Sequence, residues 1–420
     1  MVKHYRFRRL GTAAALTALG ALALAGCAGA APDGGSQAAP TPGASVAAGQ
    51  CGSVPEVGAN DPAGLLAGLS PEIQAGYNGY PYELQESAWA DWKSEKTGGY
   101  TAAIVGTSPA APFISVYQDT LASALTDAGV DVVLNVAPND PSDVPGQLQQ
   151  FSQAISLKPD IIFFNPVAPE PALDLVKEAH AAGIPVVSVV VPIDSPYAIS
   201  ITYNGVLQSM ETASTVFGSI GGSGDVLEVT GVPGIPNQLF WDAGRDKALE
   251  QCPDIKVVGS VQGLFQPPLA QQAVVQYLAT NPAGVDAVIQ AGTMGSAIRD
   301  AFTQAGQPVP PIQDVGASQG MAAFAAANPD YPYVGTATPP IDMAKAAAQI
   351  GIKVLSGAGI KLNHIVNRPF VIDQSNLSEI VDPSWVPEDG TDLAPKGAYF
   401  SDEQVAEFFA NPELGPQSAK

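Results

Sequence analysis

The histidines and cysteines are the residues of this chain best suited to metal or nucleophilic chemistry, and they are few. The three histidines stand at positions 4, 180 and 364, without the clustered spacing of a zinc site. His180 lies inside a predicted helix and His364 towards the C-terminal end, so neither is placed as a catalytic base. The sequence has no Gly-x-Gly-x-x-Gly after its first predicted strand, no Gly-x-Ser-x-Gly elbow and no Walker-type loop. We therefore expect no metal, no cofactor and no enzymatic activity.

The first 26 residues form a basic and then apolar leader. Met1–Leu10 carries four cations and no acid, and Gly11–Ala25 has the length of a signal-peptide core, which is short for a transmembrane helix. The leader ends in Leu24-Ala25-Gly26-Cys27, which resembles the lipobox of bacterial lipoproteins. We predict that the Cys27 thiol accepts a diacylglycerol and anchors the protein at the extracytoplasmic face of the membrane. An ordinary secretory signal with a chance Cys is the alternative.

The net charge of the mature chain disfavours two classes of binding partner. Removing residues 1–26 takes away four of the 18 Lys and Arg and none of the 40 Asp and Glu, so the net charge becomes about −26. A charge of this sign disfavours nucleic acid and anionic lipid as partners. Cys51 and Cys252 are an even pair in a secreted chain, which predicts a disulfide, with two free thiols as the alternative.

Strand and helix patterns alternate from Tyr100 onwards. Short apolar runs bounded by Gly, Pro or Asp, such as Thr101–Gly106 and Asp160–Phe164, predict strands that are buried on both faces. Segments with helical spacing separate them, so the chain is predicted to be α/β with parallel sheets. About ten strands, the last over Val366–Ile372, are too many for one small sheet and predict two doubly wound lobes. A ligand is then expected at the carboxyl ends of the strands.

The domain organisation follows from these patterns. Residues 1–26 are a signal peptide, and the segment 27–55, rich in Ala, Pro, Gly and Ser, is predicted to be a flexible tether. The aromatic-rich extension 56–99 is predicted to form one or two short helices on the main body. Lobe 1 is expected over 100–203, lobe 2 over 204–335, a return to lobe 1 and hinge over 336–372, and a C-terminal tail over 373–420.

The order of these segments resembles the type I periplasmic binding proteins, in particular the ribose/galactose-type branch. The resemblance covers about Tyr100 to Ile372. Its main phrases are Ala103-Ile104-Val105-Gly106-Thr107-Ser108, Pro159-Asp160-Ile161-Ile162-Phe163-Phe164-Asn165-Pro166, Ala182-Gly183-Ile184-Pro185-Val186-Val187 and Gly284-Val285-Asp286-Ala287-Val288-Ile289. The resemblance implies three crossovers between the lobes and a cleft that closes on a ligand by hinge motion. It also implies a monomeric solute-binding protein that delivers its ligand to an ABC permease.

The resemblance also implies a set of ligand-binding residues. Ser108 and Phe113 match the polar and aromatic positions after the first strand, Asn165 matches an Asn that bonds a sugar hydroxyl, and Phe265 matches the aromatic wall of the second lobe. The remaining candidates fall at or near other family positions: Asn237, Trp241, Gln290, Thr293 and Ser318. Each has a structural alternative as a packing, capping or turn residue.

The departures from the family pattern concern its charged ligand-binding residues. The Asp-Arg pair that ends the fourth family strand is replaced by Val190 and Val191, and the family Arg of the second lobe by Leu239 or Trp241. The family Asp after the Ile312 strand is replaced near Ser318. Charge-assisted hydrogen bonds to polyols are therefore expected to be missing. We predict a small neutral ligand, sugar-like and less hydroxyl-rich than a free hexose, with a small aromatic solute or a signal-presenting receptor as alternatives.

Overall fold

The computed structural model describes residues 50–109, 112–390 and 392–415. These residues form twelve strands and twelve α-helices. The strands are β1 (Thr101–Val105), β2 (Asp131–Val136), β3 (Ile161–Phe164), β4 (Val186–Val189), β5 (Ala198–Tyr203), β6 (Ser223–Thr230), β7 (Asp254–Gln262), β8 (Ala287–Gln290), β9 (Gln313–Val315), β10 (Val334–Ala337), β11 (His364–Asn367) and β12 (Phe370–Asp373). The helices are α1 (Pro71–Ala75), α2 (Pro112–Asp127), α3 (Val144–Ser156), α4 (Leu173–Ala181), α5 (Gly205–Ser219), α6 (Pro236–Glu250), α7 (Pro267–Thr280), α8 (Gly295–Gln304), α9 (Gln319–Ala327), α10 (Pro340–Leu355), α11 (Leu377–Ile380) and α12 (Asp402–Glu407).

The strands form two sheets. The first sheet, which defines lobe 1, is entirely parallel and has the order β2-β1-β3-β4-β5-β11. The second sheet, which defines lobe 2, joins β7-β6-β8 to β9-β10-β12 through a parallel bridge between Val288 and Ile312. Its last strand, β12, runs antiparallel to β10. The predicted pair of doubly wound lobes is therefore confirmed.

Burial on both faces explains why apolar runs form these strands. In β3, Ile161 and Phe163 join one core cluster, whereas Ile162 and Phe164 join another on the opposite face. The strands of the second sheet also contribute alternate residues to two core clusters, because successive residues of a strand point to opposite faces. Helices cover both faces, and the carboxyl ends of the strands remain for the loops that can hold a ligand.

The chain crosses between the lobes three times, after β5, after β10 and after β11. At the first crossing Asn204 caps α5, because its side chain accepts a hydrogen bond from the Leu207 N–H. The single strand predicted over Val366–Ile372 is wrong: β11 lies in the first sheet and β12 in the second. Pro369 separates them, since it has no N–H to donate to a strand ladder.

The N-terminal extension packs against the body through its aromatic residues. It contains α1 and a 3₁₀ turn at Leu65–Gly68. The Tyr77 hydroxyl donates to the His364 carbonyl at 2.8 Å and accepts from the Val366 N–H at 3.2 Å, so it is fixed to β11. Trp89 Nε1 donates to the Tyr197 carbonyl at 2.8 Å, just before β5. The extension is therefore part of the lobe 1 core.

Candidate functional site

Backbone strain is concentrated at the carboxyl ends of the strands. Five non-glycine residues in the described ranges have positive φ, and four of them lie in loops directly after parallel strands. Val190 follows β4, Leu264 and Phe265 follow β7, and Thr293 follows β8; the fifth, Lys158, follows α3. Such a conformation costs on the order of 1–3 kcal/mol per residue and is typical of functional loops. The strain therefore marks the edge of both sheets as the candidate site.

Asn165 is the central polar residue on the lobe 1 side of this edge. It directly follows β3, is only 5% exposed, and donates from Nδ2 to Thr107 Oγ1 at 3.3 Å. Its Oδ1 atom is buried and has no hydrogen-bond partner among the residues that the structure describes. Gln147 fixes the backbone around it, because Gln147 Nε2 donates to the carbonyls of Gly106 and Asn165 at 2.6 and 2.8 Å. The Asn165 side chain is thus held in place with one acceptor unsatisfied.

A second unsatisfied acceptor, Gln118 Oε1, lines the same small cavity as Asn165. The cavity has a volume of about 10 Å³, which is the space of one water or one hydroxyl group. Gln118 Nε2 donates to Asn135 Oδ1 at 2.6 Å, which orients the amide. A Cβ atom on Gly106 would clash with Gln118 Oε1, so a larger residue there would displace the Gln118 amide. Sequence reasoning missed Gln118, since a polar residue within a helix gives no signal by its type alone.

Ser108 lies in the loop after β1, and Phe113 lies in the first turn of α2. The Ser108 hydroxyl is buried and donates to the Asn139 carbonyl at 2.9 Å, which ties the loop after β1 to the loop after β2. The Phe113 ring is half-buried and lies nearly parallel to the Tyr117 ring, with centroids 6.5 Å apart. The structure therefore uses Ser108 to shape the loop and leaves part of the Phe113 ring accessible.

Phe265 forms the aromatic surface of lobe 2. A Cβ atom on Gly231 would lie 2.0 Å from the Phe265 ring, so the ring rests directly on the backbone after β6. The ring is also within 3.6 Å of the position of a Cβ atom on Gly292, after β8. Gly231 is required for this close approach, whereas Gly292 is favoured by its positive φ of 151°. The half-buried Phe265 ring thus covers the carboxyl ends of two neighbouring strands.

Trp241 and Gln290 point into lobe 2 and away from the cleft, which corrects their expected role as ligand contacts. Trp241 is only 2% exposed, and its Nε1 donates to Gln313 Oε1 at 3.3 Å. Gln290 is fully buried; its Nε2 donates to the Val315 carbonyl at 3.2 Å, and its Oε1 accepts from the Gly292 N–H at 2.6 Å. The indole nitrogen of Trp241 therefore ties α6 to β9, and the amide of Gln290 holds β8 and β9 together.

The three remaining candidates of lobe 2 lie at the same edge with different exposure. Thr293 is exposed, and its N–H donates to the Val315 carbonyl at 2.7 Å. The Ser318 hydroxyl caps α9 by accepting from the Met321 N–H at 3.2 Å, and it is also 2.6 Å from the Ser296 hydroxyl. Asn237 is half-buried in the first turn of α6, and its side chain has no hydrogen bond within the described part of the chain.

One loop at this edge carries a cation. Arg368 directly follows β11 and pairs with Glu211 at 3.2 Å. The other segments that follow the parallel strands and precede the next element contain no Lys, Arg or His: 106–111, 137–143, 165–172, 190–197, 231–235, 263–266, 291–294, 316–318 and 338–339. The other two arginines of the mature chain are paired elsewhere, Arg245 with Glu228 and Arg299 with Asp300. An anionic ligand would therefore have to compete with Glu211 for its bidentate partner.

The pKa values of titratable groups near the site are shifted in both directions, since hydrogen bonds from Ser142 lower the pKa of Asp140 in the loop after β2. Burial raises the pKa of Tyr203, at the first crossing, to about 12. Burial, with a smaller contribution from Glu83, also raises the pKa of Asp194 in the loop after β4. Among the described residues no three His, Cys, Asp or Glu side chains form a group that could hold a metal ion. In the same part of the chain no helix is long and apolar enough to cross a membrane.

Comparison with known proteins assigns the chain to a family. Residues 102–359 match the family described as periplasmic binding protein domain. No curated protein matches the chain.

Solved structures share the fold at low sequence identity. An ABC transporter solute-binding protein from Thermobispora bispora is 23% identical with a TM-score of 0.62, over 74% of this chain and 94% of that one. One from Mycobacterium smegmatis with bound glycerol is 20% identical with a TM-score of 0.60, over 71% and 100%. One from Actinobacillus succinogenes with bound D-allose is 17% identical with a TM-score of 0.58, over 67% and 99%.

Proposed function

We propose, from the premise that this chain belongs to the periplasmic binding protein family, that it captures a small neutral sugar or sugar-like solute in the cleft between its lobes. In this proposal it passes the solute to the permease of an ABC importer and catalyses no reaction. The proteins of similar fold are ABC transporter solute-binding proteins, which supports this assignment.

The unpaired Oδ1 atom of Asn165 is the observation that carries the proposal. A buried acceptor without a partner costs about 1–3 kcal/mol, and that cost is recovered when a donor arrives. The neighbouring Gln118 Oε1 atom is also unpaired and lines the same cavity, which has room for one hydroxyl group. Two convergent acceptors with room for one small group fit a ligand hydroxyl.

The aromatic surfaces on the two lobes fit the apolar faces of a sugar ring. Phe113 on lobe 1 and Phe265 on lobe 2 are both half-buried, so each leaves part of its ring for a ligand. Ser108, Asn237, Thr293 and Ser318 lie around them at the same edge. A mostly apolar cleft with a few oriented polar groups is typical of small-molecule sites.

The loops at this edge contain no Lys, Arg or His apart from Arg368, which is paired with Glu211, and this supports a ligand without negative charge. Several proteins of similar fold are described with neutral polyols: D-allose, L-arabinofuranose, myo-inositol and glycerol. We take this class of molecule as the first choice for the solute of this chain.

The lipid anchor is a separate part of the proposal. Cys27 lies outside the described residues, so the proposal rests on the basic leader and on the lipobox resemblance at Leu24-Ala25-Gly26-Cys27. A binding protein that works with a membrane permease gains from an anchor, because a tether raises its local concentration at the membrane.

A thermal-shift panel tests the proposed function. Mature protein is melted with D-allose, L-arabinose, myo-inositol or glycerol, and a ligand that prefers the folded state raises the melting temperature. Asn165→Ala should weaken binding of the active polyol by about tenfold, since it removes the fixed amide. Asn281→Ala is the matched control, because Asn281 is an exposed amide at the end of α7. No shift with any polyol, or equal shifts for the two variants, would contradict the proposal.

A further inference from the structure

The C-terminal tail, described over 382–390 and 392–415, runs from lobe 2 back to lobe 1. Its first part lies against the loop after β9 and the start of α9 in lobe 2. Further along, Asn367 Nδ2 donates to the Ala398 carbonyl at 3.3 Å, at the third crossing. Tyr399 is buried in the lobe 1 core, close enough to Tyr117 of α2 to add to the rise in the pKa of Tyr117 that burial causes. The tail is thus a further connection between the lobes.

The tail docks on lobe 2 at the carboxyl end of β9. The Leu393 N–H donates to the Ala317 carbonyl at 3.0 Å, and Asp392 pairs with Ser318 as an antiparallel bridge. The Gly320 N–H donates to the Asp389 carbonyl at 2.8 Å. A Cβ atom on Gly320 would lie 2.4 Å from that same carbonyl oxygen, so the tail occupies space that any side chain would fill. The docking is therefore specific in its backbone contacts.

This docking brings the Asp392 carboxylate to the loop after β9. Asp392 is half-buried, burial raises its pKa, and it has no hydrogen-bond or ion-pair partner within the described part of the chain. Arg299, the cation that holds the tail, donates instead to the carbonyls of Gly320 and Pro387 and to Asp300. A partly desolvated carboxylate without a donor is costly unless a donor arrives from outside the chain.

We propose that the tail is a wall of the ligand site and that Asp392 accepts hydrogen bonds from two neighbouring hydroxyl groups of a neutral polyol. The inference rests on the proposed function and adds a ligand contact from a segment that lies beyond the family match at 102–359. A carboxylate accepts two hydroxyl donors through its two oxygens, and such charge-assisted bonds are stronger than neutral ones.

An independent observation on lobe 1 points to the same ligand chemistry. Asn165 is 95% buried, since its exposed fraction is 5%, and its unpaired Oδ1 atom lines the small cavity together with Gln118 Oε1. The unpaired groups on both lobes are therefore hydrogen-bond acceptors. A ligand that satisfies them must present donors on two sides, as a polyol with free hydroxyl groups does. This inference departs from the expectation of a hydroxyl-poor ligand, which rested on the missing charged residues at Val190 and Val191, at Leu239 or Trp241, and near Ser318.

Calorimetric titration of Asp392→Asn tests the inference. The probes are D-allose, L-arabinose and myo-inositol, and the variant keeps the shape of the side chain while removing its charge. Because the variant removes a partly desolvated charge that has no partner within the described part of the chain, it should melt at or above the temperature of the wild type. We expect the polyol that binds the wild type to bind Asp392→Asn about tenfold or more weakly. Glu388→Gln is the matched control on the same tail, because Glu388 is exposed, and it should bind as the wild type does.

Each outcome of the titration decides a different point. Affinities of Asp392→Asn and wild type that agree within about twofold would overturn the role of Asp392 and leave the proposed function standing. A loss of equal size in Glu388→Gln would also overturn it, since the effect would then be one of overall charge. Binding of none of the three polyols to the wild type would overturn both the inference and the proposed ligand class.

Discussion

The Sγ atom of Cys51 is bonded to the Sγ atom of Cys252, which joins the first described residues of the chain to the end of α6 in lobe 2. The next residue, Gly52, packs closely on α5 of lobe 2, since an added Cβ atom would stand 3.1 Å from the Gly218 Cα atom. Further along the same extension, Tyr77 is fixed to β11 of lobe 1. The N-terminal extension is therefore attached to both lobes, covalently to one and by packing to the other.

Replacing both cysteines, in Cys51→Ala/Cys252→Ala, should lower the free energy of unfolding by about 2–4 kcal/mol. The reason is that the disulfide closes a loop with a sequence separation of 201 residues and thereby restricts the unfolded chain. Urea denaturation of both proteins measures the change. A reducing agent should destabilise the wild type and leave the double variant unaffected; equal unfolding free energies without reductant would contradict the prediction.

Trp241→Ala should lower the free energy of unfolding, and its effect should not come from a lost contact with the ligand. The ring is buried in the lobe 2 core, and its Nε1 donates to Gln313 Oε1, so its removal leaves a cavity and takes away one of the two donors to that oxygen. We expect a loss of about 3–5 kcal/mol in the free energy of unfolding. Chemical denaturation measures this loss, and calorimetry below the transition measures affinity. Leu239→Ala, on the exposed face of the same helix, is the control. A large loss of affinity with unchanged stability would show that Trp241 faces the ligand.

The strand pattern predicted most of the fold because apolar runs such as β3 and β8 are buried on both faces. β5 escaped prediction because Ser200 and Thr202 interrupt its apolar pattern, although both are buried and hydrogen-bonded inside the sheet. The break at Pro369 was missed as well, since two short strands on either side of one proline read as a single run.

The candidate site was harder to predict than the fold. The position of Asn165 followed from its place at the end of a strand, whereas the inward direction of Trp241 depends on packing that a sequence does not display. The tail that carries Asp392 is distant in sequence from Ser318, and only the folded chain brings the two together. Positive φ at Thr293 is likewise visible only in the structure.

Asp314 makes the stability of lobe 2 depend on pH. Burial is the main reason that the pKa of Asp314 rises from 3.8 to about 7. The Tyr333 hydroxyl and Arg299 lower this pKa, whereas the charge of Asp392 raises it further. The folded protein thus retains a proton that the unfolded chain releases near pH 4. The stability that this group contributes is complete below about pH 4 and is lost as the pH rises to about 7.

Asp314→Asn should remove this pH dependence, because the amide keeps an acceptor for the Tyr333 hydroxyl without titrating. Between pH 4 and 7 the wild type should lose up to about 4 kcal/mol relative to the variant. Urea denaturation at several pH values measures the difference, and Asp330→Asn, an exposed carboxyl, is the control. Parallel pH profiles for wild type and Asp314→Asn would refute the assignment.

Cys27→Ala should release the protein from the membrane fraction of its host, because the diacylglycerol would have no thiol to join. Fractionation with an antibody against the mature chain measures the distribution. Cys51→Ala/Cys252→Ala is the control and should stay with the membrane, since it leaves the lipobox intact. Retention of Cys27→Ala in the membrane fraction would count against the lipid anchor.

A crystal structure of the mature protein with the polyol that stabilises it most tests the central claim directly. We predict electron density for one polyol between the lobes, with a hydroxyl within about 3 Å of Asn165 Oδ1 and a ring face against Phe265. Density for the polyol at any other position, or an empty cleft at saturating polyol, would contradict the account.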